Sequence, residues 1–270
     1  MPVWLAALLG VVQGLTEFLP VSSSGHLALF QNIFDMSQYT DNHIAFDIVL
    51  HLGTLVAVVI AFWSDIVGLV RDFLGWVGDG FRVKKIPGRR MIIMLIIATL
   101  PLAVGALLEN AVSAAFQSTL LIGCALLFTS VLLYLSDKLG HGRKTARDAS
   151  YKSALVVGLM QLVAIIPGVS RSGSTICGGL FVGFERQFAV RFAFLLSIPA
   201  VVGAAVFQLP DIASAASDGL LVYAVGFVTA AVSGYLAIRL VRLLMKKNSF
   251  KVFSVYCAVV GVLSIVFSLI

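Results

Sequence analysis

Hydrophobic positions fall in long blocks along this chain. Six uninterrupted apolar runs, at roughly 46–63, 91–108, 118–136, 192–208, 220–238 and 252–270, are each long enough to cross a bilayer as a helix. Two further apolar regions, 3–34 and 153–183, are broken midway by short loops of proline, glycine and serine. Neither half of either region can span, so each predicts a helix–loop–helix hairpin that enters the membrane and returns. Backbone unwound at that depth must face protein or a wet cavity, because lipid offers its polar groups no partner. Segment 65–81, with Trp63 just ahead of it and Phe73, Trp76 and Phe81 set among charges, predicts an interfacial helix.

The two broken regions are copies of each other. At an offset of 148 residues, Gly10–His26 lies without a gap on Gly158–Ser174. Gly10, Gln13, Val21, Ser22, Ser24 and Gly25 recur as Gly158, Gln161, Val169, Ser170, Ser172 and Gly173, and a proline stands ahead of each loop, Pro20 and Pro167. Where the copies differ, the first carries Glu17, Ser23 and His26 and the second carries Arg171.

Composition agrees with the spans. Sixty per cent hydrophobic residues, twelve per cent charged residues and a mean hydropathy of +1.03 belong to a polytopic membrane protein rather than a soluble domain. The N-terminal Met1-Pro2-Val3-Trp4 has no basic region, and Gly14, Glu17 and Pro20 interrupt the apolar run after it, so no cleaved signal peptide is expected. Cys124, Cys177 and Cys257 sit in apolar stretches at unrelated spacings, the pattern of packing residues with no redox or zinc signal.

The net charge of +6 calls for no nucleic acid, because its distribution follows the membrane. Every Lys and Arg except Arg171 lies in one set of connections: 71–90, 138–152, 186–191 and 239–251. The opposite connections, near 35–45, 109–117 and 209–219, hold Asp35, Asp41, Glu109, Asp211 and Asp218 and no Lys or Arg. The positive-inside rule makes the basic connections cytoplasmic. Threading then puts both termini outside, with the first hairpin dipping from outside and the second from the cytoplasm. Each half is one hairpin plus three spans, an odd number, so the copies have opposite senses. The predicted fold is an all-α polytopic membrane protein with an inverted-topology repeat, each half one re-entrant broken helical hairpin plus three transmembrane helices. It forms a single membrane domain over 1–270, with repeats at about 1–136 and 153–270 and a cytoplasmic linker at 137–152.

Glu17 and Arg171 are the only formal charges within the hairpins. Either one costs roughly 2.5–3.5 kcal/mol on insertion scales unless paired or hydrated. A buried pair that only locks the halves together is the bland account; an ion pair serving a polar ligand is favoured by the neighbours. Those are Ser22, Ser23, Ser24, His26, Ser170, Ser172, Ser174 and Thr175, among Gly25, Gly168 and Gly173. Glycines let tight backbone turn N–H groups toward a ligand, and the helix starts after the loops favour an anion. Helix capping accounts equally for some of the serines. A guanidinium with convergent hydroxyls suits phosphate. His26 follows Ser23 by three residues, within reach of a proton exchange with phosphate, water or a serine hydroxyl, although a histidine at a helix start also serves as a cap. Asp47 and His51 share a helix face and either line the cavity or pack, and Asp148 reads as a helix cap. Gly53, Gly105, Gly123, Gly203, Gly226 and Gly261 read as close helix contacts.

GVVQGLTEFLPVSSSGH (10–26) and PGVSRSGST (167–175) resemble the two signature boxes of the bacterial undecaprenyl-diphosphate phosphatase (bacitracin-resistance) family, with order, spacing and hydropathy agreeing over essentially the whole chain. The resemblance implies removal of the terminal phosphate of undecaprenyl diphosphate, regenerating the monophosphate carrier for peptidoglycan synthesis, in the bacterial plasma (inner) membrane. It implies catalytic positions at Glu17, Ser23, His26 and Arg171. Substrate contacts would come from Ser22, Ser24, Gly25, Gly168, Ser170, Ser172, Gly173, Ser174 and Thr175. It also implies Mg²⁺ (or Ca²⁺) held by Glu17, with Gln13 standing where some members carry a glutamate. Ser23 is the nucleophile by position in the box. Phosphoserine formation and His26-assisted attack by water both remain open, as do metal binding and His26 orientation for Glu17. The partners implied are the polyprenyl diphosphate and membrane lipids, its tail along apolar walls; a homodimer is admitted. A lipid flippase or transporter has the same architecture, but needs no hydroxyl–histidine pair at a phosphate.

The charge pattern makes a direct prediction about sidedness. With the native cysteines replaced, cysteines placed at Asp41 and Asp211 should react with an impermeant thiol reagent in intact cells, while one at Lys144 should not. Labelling at Lys144 alone would invert the orientation.

Overall fold

The computed structural model describes residues 1–33, 43–82, 86–207, 219–245 and 249–269. The predicted acidic positions 35, 41, 211 and 218 and the basic positions 84, 85, 246 and 247 lie outside these residues. The helices in chain order are α1 (Val3–Phe18), α2 (Ser23–Ile33), α3 (His43–Ala61), α4 (Trp63–Gly78), α5 (Pro87–Thr99), α6 (Leu102–Gly105), α7 (Glu109–Phe116), α8 (Thr119–Leu139), α9 (Tyr151–Val163), α10 (Arg171–Phe181), α11 (Arg186–Phe207), α12 (Leu220–Met245) and α13 (Lys251–Leu269). No strand occurs among the described residues. A lone parallel bridge joins Lys144 to Phe184, and ties the 140–150 connection to the segment after α10.

Five helical stretches are long and apolar enough to cross a membrane: Pro87–Gly105, Thr119–Leu139, Arg186–Val206, Leu220–Leu244 and Lys251–Leu269. They fall on the predicted runs, so the chain is a multi-pass membrane protein. The remaining predicted span is α3, after which the chain bends by 81° into α4. That helix buries none of its residues and leaves Trp63, Val67, Val70 and Leu74 exposed, as an interfacial helix requires. α1 and α9 are too short to span. Each is followed by a turn and a second short helix, as the broken hairpins predicted.

Three details differ from the sequence reading. The 91–108 run is not one regular helix. Pro101 offers no N–H, so the chain passes to i→i−3 bonds from Ala103 to Leu100 and from Val104 to Pro101. The connection at 109–117 is helical over Glu109–Phe116, where an alanine-rich sequence favours it. Asp148 does not cap α9: Ser150 does, accepting from the Ser153 amide at 3.1 Å, while the Asp148 carboxylate accepts from the Thr145 hydroxyl.

The two halves interlock through close backbone contacts. α1 lies against α12, where a Cβ on Gly10 would come within 2.6 Å of the Gly226 carbonyl. Its repeat equivalent Gly158 brings α9 against α5, where a Cβ would sit 2.5 Å from the Ala98 carbonyl. Small residues at such crossings allow the packing and dispersion contacts that hold helices together in lipid. α8 meets α13 at Gly123 and Gly261, and there the Ser130 and Ser254 hydroxyls each donate to the other's carbonyl, at 2.7 and 2.9 Å. Gly53 and Gly226 make the expected close contacts; Gly105 has only ordinary ones, and Gly203 has none. Phe184, Phe188, Phe192 and Phe194 form the centre of the largest apolar core, behind α10.

A glycine substitution series tests this packing. On Gly14 a Cβ would lie 2.5 Å from the Ala230 carbonyl and 2.6 Å from the Gly234 amide, whereas one on Gly203 meets nothing among the described residues. Gly14→Ala should therefore lose about 1–3 kcal/mol of stability in detergent, and Gly203→Ala should be neutral or slightly stabilising. Equal melting temperatures for the two variants would count against the tight α1–α12 crossing.

Candidate active site

The first broken hairpin owes its turn to Pro20, whereas α9 of the second already ends at Val163, ahead of Pro167. α1 stops at Phe18, and Leu19, forced extended by the following Pro20, closes it with φ −66° and ψ 141°. Ser22 then adopts φ +72°, a left-handed conformation that is strained for a residue with a side chain, and Gly168 in the other turn has φ +95°. The turns share a capping scheme. The Ser22 hydroxyl accepts from the Gly25 amide at 3.2 Å, and the Ser170 hydroxyl accepts from the Gly173 amide at 3.1 Å. Capping is therefore the role of these two serines in the free protein.

The turns face each other. The Ser22 hydroxyl donates across to the Val169 carbonyl at 3.4 Å, and the Ser172 hydroxyl donates back to the Leu19 carbonyl at 3.1 Å. A Cβ on Gly25 would meet Gly168, and one on Gly173 would meet Pro20. These two contacts exchange under the 148-residue offset, as a local two-fold relation between the turns requires. Thr129 of α8 holds the second turn, donating to the Gly168 carbonyl and accepting from the Ser170 amide, both at 3.1 Å.

Glu17 lies where the turns meet, only 7% exposed. Its Oε2 accepts from Ser23 Oγ at 2.6 Å and from Gln13 Nε2 at 3.1 Å, while its Oε1 pairs with the guanidinium of Arg171 from the other half. His51 of α3 brings Nε2 to 3.7 Å from the same carboxylate, with Nδ1 donating to the Asp47 carbonyl. His51 therefore stands beside the Glu17 carboxylate with one ring nitrogen satisfied by its own helix. A small void of about 10 Å³, room for roughly one water, opens beside Glu17 and Arg171 and is lined by Ser172, Thr175, Phe194 and Ser197.

The structure brings Glu17, Ser23 and Arg171 together and sets His26 to one side. His26 Nδ1 donates to the Ser22 carbonyl at 2.7 Å, and Nε2 is bonded to the Tyr256 hydroxyl at 2.8 Å. The partner of Ser23 is Glu17. Ser24 is half-buried beside Ser22, Thr175 donates to backbone carbonyls of its own helix, and Ser174 Oγ is buried with no partner among the described residues. Tyr256, Thr129 and Ser197 escaped the sequence reading. Each is a lone polar group in an apolar span, and no motif singles it out.

Gln13 Oε1, on the helix turn before Glu17, is likewise buried without a partner among the described residues. Among the described residues no three His, Cys, Asp or Glu side chains converge, so a fully protein-ligated metal site is absent there. The orphaned amide oxygen and the carboxylate fit the sparser demand of Mg²⁺, which keeps waters and takes phosphate oxygens as ligands.

Because the pair spans the two halves, neutralising either partner strands the other in a poorly hydrated site. Glu17→Gln and Arg171→Gln should each lower thermal stability, and the double variant should recover part of the loss while staying inactive. A coupling of about 0.5–3 kcal/mol in a double-mutant cycle is expected. Additive losses would show that the two hairpins do not share a site.

Comparison with known proteins places this geometry in a family. The model for the bacitracin resistance protein BacA matches residues 6–263. The undecaprenyl-diphosphatase of Methanosphaera stadtmanae is 40% identical over 274 residues, covering 98% of both chains. That of Methanobrevibacter smithii is 42% identical over 266 residues, with 96% of this chain and 95% of the relative covered. That of Halothermothrix orenii is 41% identical over 269 residues, with 98% of each covered. The chain belongs to the bacitracin resistance protein BacA family.

Proposed function

We propose that this protein hydrolyses undecaprenyl diphosphate to undecaprenyl phosphate and inorganic phosphate, recycling the lipid carrier of peptidoglycan synthesis and so conferring bacitracin resistance. The observation that carries the reading is the 2.6 Å bond from the Ser23 hydroxyl to a carboxylate that is itself paired with Arg171. A serine activated by a neighbouring base is a nucleophile, and a guanidinium beside it binds phosphate oxygens.

In this proposal the diphosphate enters between the turns, and Arg171 turns from Glu17 onto the terminal phosphate. The first-turn amides of α2 and α10 other than those of Gly25 and Gly173, which the Ser22 and Ser170 hydroxyls cap, add to its stabilisation. Ser23 Oγ attacks the terminal phosphorus, its proton passes to Glu17, and the anhydride P–O bond breaks to release undecaprenyl phosphate. Water then attacks the phosphoserine and gives a proton to His26, while Glu17 returns its proton to Ser23 as inorganic phosphate leaves. Gln13 Oε1 and Glu17 would hold Mg²⁺ (or Ca²⁺) together with phosphate oxygens. When bound, such an ion neutralises the charge that builds up on the phosphates. Ser24, Ser172, Ser174 and Thr175 line the head-group site, and the tail lies on apolar helix faces open to lipid.

The basic connections support cytoplasmic placement of that side, which puts the first hairpin and its nucleophile at the outer face of the plasma (inner) membrane, with the two repeats in opposite senses. The test is phosphate release by purified protein from C15 and C55 prenyl diphosphates in detergent, with and without Mg²⁺. Turnover without a membrane gradient is expected. Arg171→Lys should cut kcat by about 10²-fold, because lysine keeps the charge but loses the forked donors, while the protein stays folded. Near-normal turnover in that variant would reduce Arg171 to a generic counter-ion.

A further inference from the structure

We propose that Tyr256 is a positioning residue for this chemistry. Its hydroxyl holds the bearing of His26, whose tautomer the Ser22 carbonyl sets, so the last helix of the second half completes a site begun in the first. The inference rests on the phosphatase reading of the same site.

The geometry around His26 leaves little freedom. A carbonyl oxygen can only accept, so the bond to the Ser22 carbonyl places a proton on Nδ1. In the neutral ring Nε2 then carries the lone pair, and the Tyr256 O–H donates to it at 2.8 Å. The two rings lie nearly parallel, 7° apart, with centroids at 5.6 Å, so the imidazole is fixed in plane as well as at both nitrogens. The Tyr256 hydroxyl occupies the Nε2 lone pair in the free protein, so an arriving water takes that place as the hydroxyl gives way, and the ring, held at the required bearing, has no need to turn.

Tyr256 is well placed to hold that bearing. α13 is fixed to α8 by the Ser130–Ser254 hydrogen bonds and the Gly123–Gly261 contact, on either side of Tyr256 along the helix. The adjacent Cys257 thiol lies 3.7 Å from the Pro20 carbonyl, so α13 touches the first turn itself. Packing is a poor explanation for this side chain, which stays 42% exposed on a face shared with Val252, Val255, Val259 and Val266. What a tyrosine adds to that apolar stripe is its hydroxyl, and the hydroxyl is committed to His26.

Tyr256→Phe removes only that hydroxyl and keeps the stacked ring. With a prenyl diphosphate substrate, kcat should fall about tenfold, the loss of one hydrogen bond, with KM within about twofold of the parent. His26→Ala should cost roughly 10²–10⁴-fold in kcat. The double variant should be no slower than His26→Ala alone, because a residue that works through His26 has nothing left to position. Multiplicative losses, an unchanged kcat in Tyr256→Phe, or a loss matched by early melting would each overturn the proposal. A second readout is independent of turnover: ¹⁵N spectra of histidine-labelled protein, with His26 assigned by the His26→Ala difference. The parent should show the Nδ1–H tautomer, and Tyr256→Phe should shift the Nε2 resonance. An unaltered resonance would sink the positioning role even if the enzyme is active. A parent that shows the shift but releases no phosphate would sink the phosphatase reading alone.

Discussion

The Glu17 carboxylate is the constraint from which most of this structure follows. An ionised group at that depth is tolerated only where its lone pairs are taken up, and here Gln13, Ser23 and Arg171 take them. One donor comes from the same helix, one from across the turn and one from the other half of the chain. To supply all three, two broken helices must meet end to end, which demands that α1 and α9 approach their neighbours at backbone distance. Gly10, Gly14 and Gly158 are where that approach occurs. Pairing, turn geometry and glycine positions thus form one sequence of requirements.

The duplication also explains how the groups came to face one another. Ser23 and Arg171 occupy equivalent positions in the two turns, 148 residues apart. The two residues reach the same place from the two turns and bond to the two oxygens of one carboxylate. The shared residues Ser22/Ser170 and Gly25/Gly173 build the turn and its cap. The divergent residues supply the groups that meet at Glu17. Keeping the scaffold while varying this position gives a hydroxyl on one side and a cation on the other.

Much of this was legible in the sequence, for identifiable reasons. Helices crossing lipid need long apolar runs, so the spans could be read within a few residues, and Pro–Gly–Ser breaks at that depth mark turns that need protein around them. Glu17, Ser23 and Arg171 stood out because polar residues in such company are costly. The partner of His26 did not stand out: Tyr256 is 230 residues away, and a tyrosine in an apolar helix is ordinary. Which nitrogen or oxygen meets which hydroxyl depends on ring rotation and turn dihedrals, and spacing along the chain carries no trace of these. Ser22 at φ +72° is a case in point, since nothing in a run of three serines says which one takes the left-handed conformation. The break at Pro101 was visible as a residue, but its effect inside an apolar run was not.

The asymmetry of the two turns is as necessary as their likeness. Two copies of the first turn, facing across a true two-fold, would place Glu17 opposite Glu17 and Ser23 opposite Ser23, with no cation to offset two buried carboxylates. Two copies of the second would set Arg171 against itself. Only one copy of each closes the charge balance and leaves a serine hydroxyl beside a guanidinium. The same division extends outward, since His26 of the first half takes its outer partner from α13 of the second. A site assembled in this way forms only when both halves have docked, so the Glu17 carboxylate is satisfied by the same event that creates it.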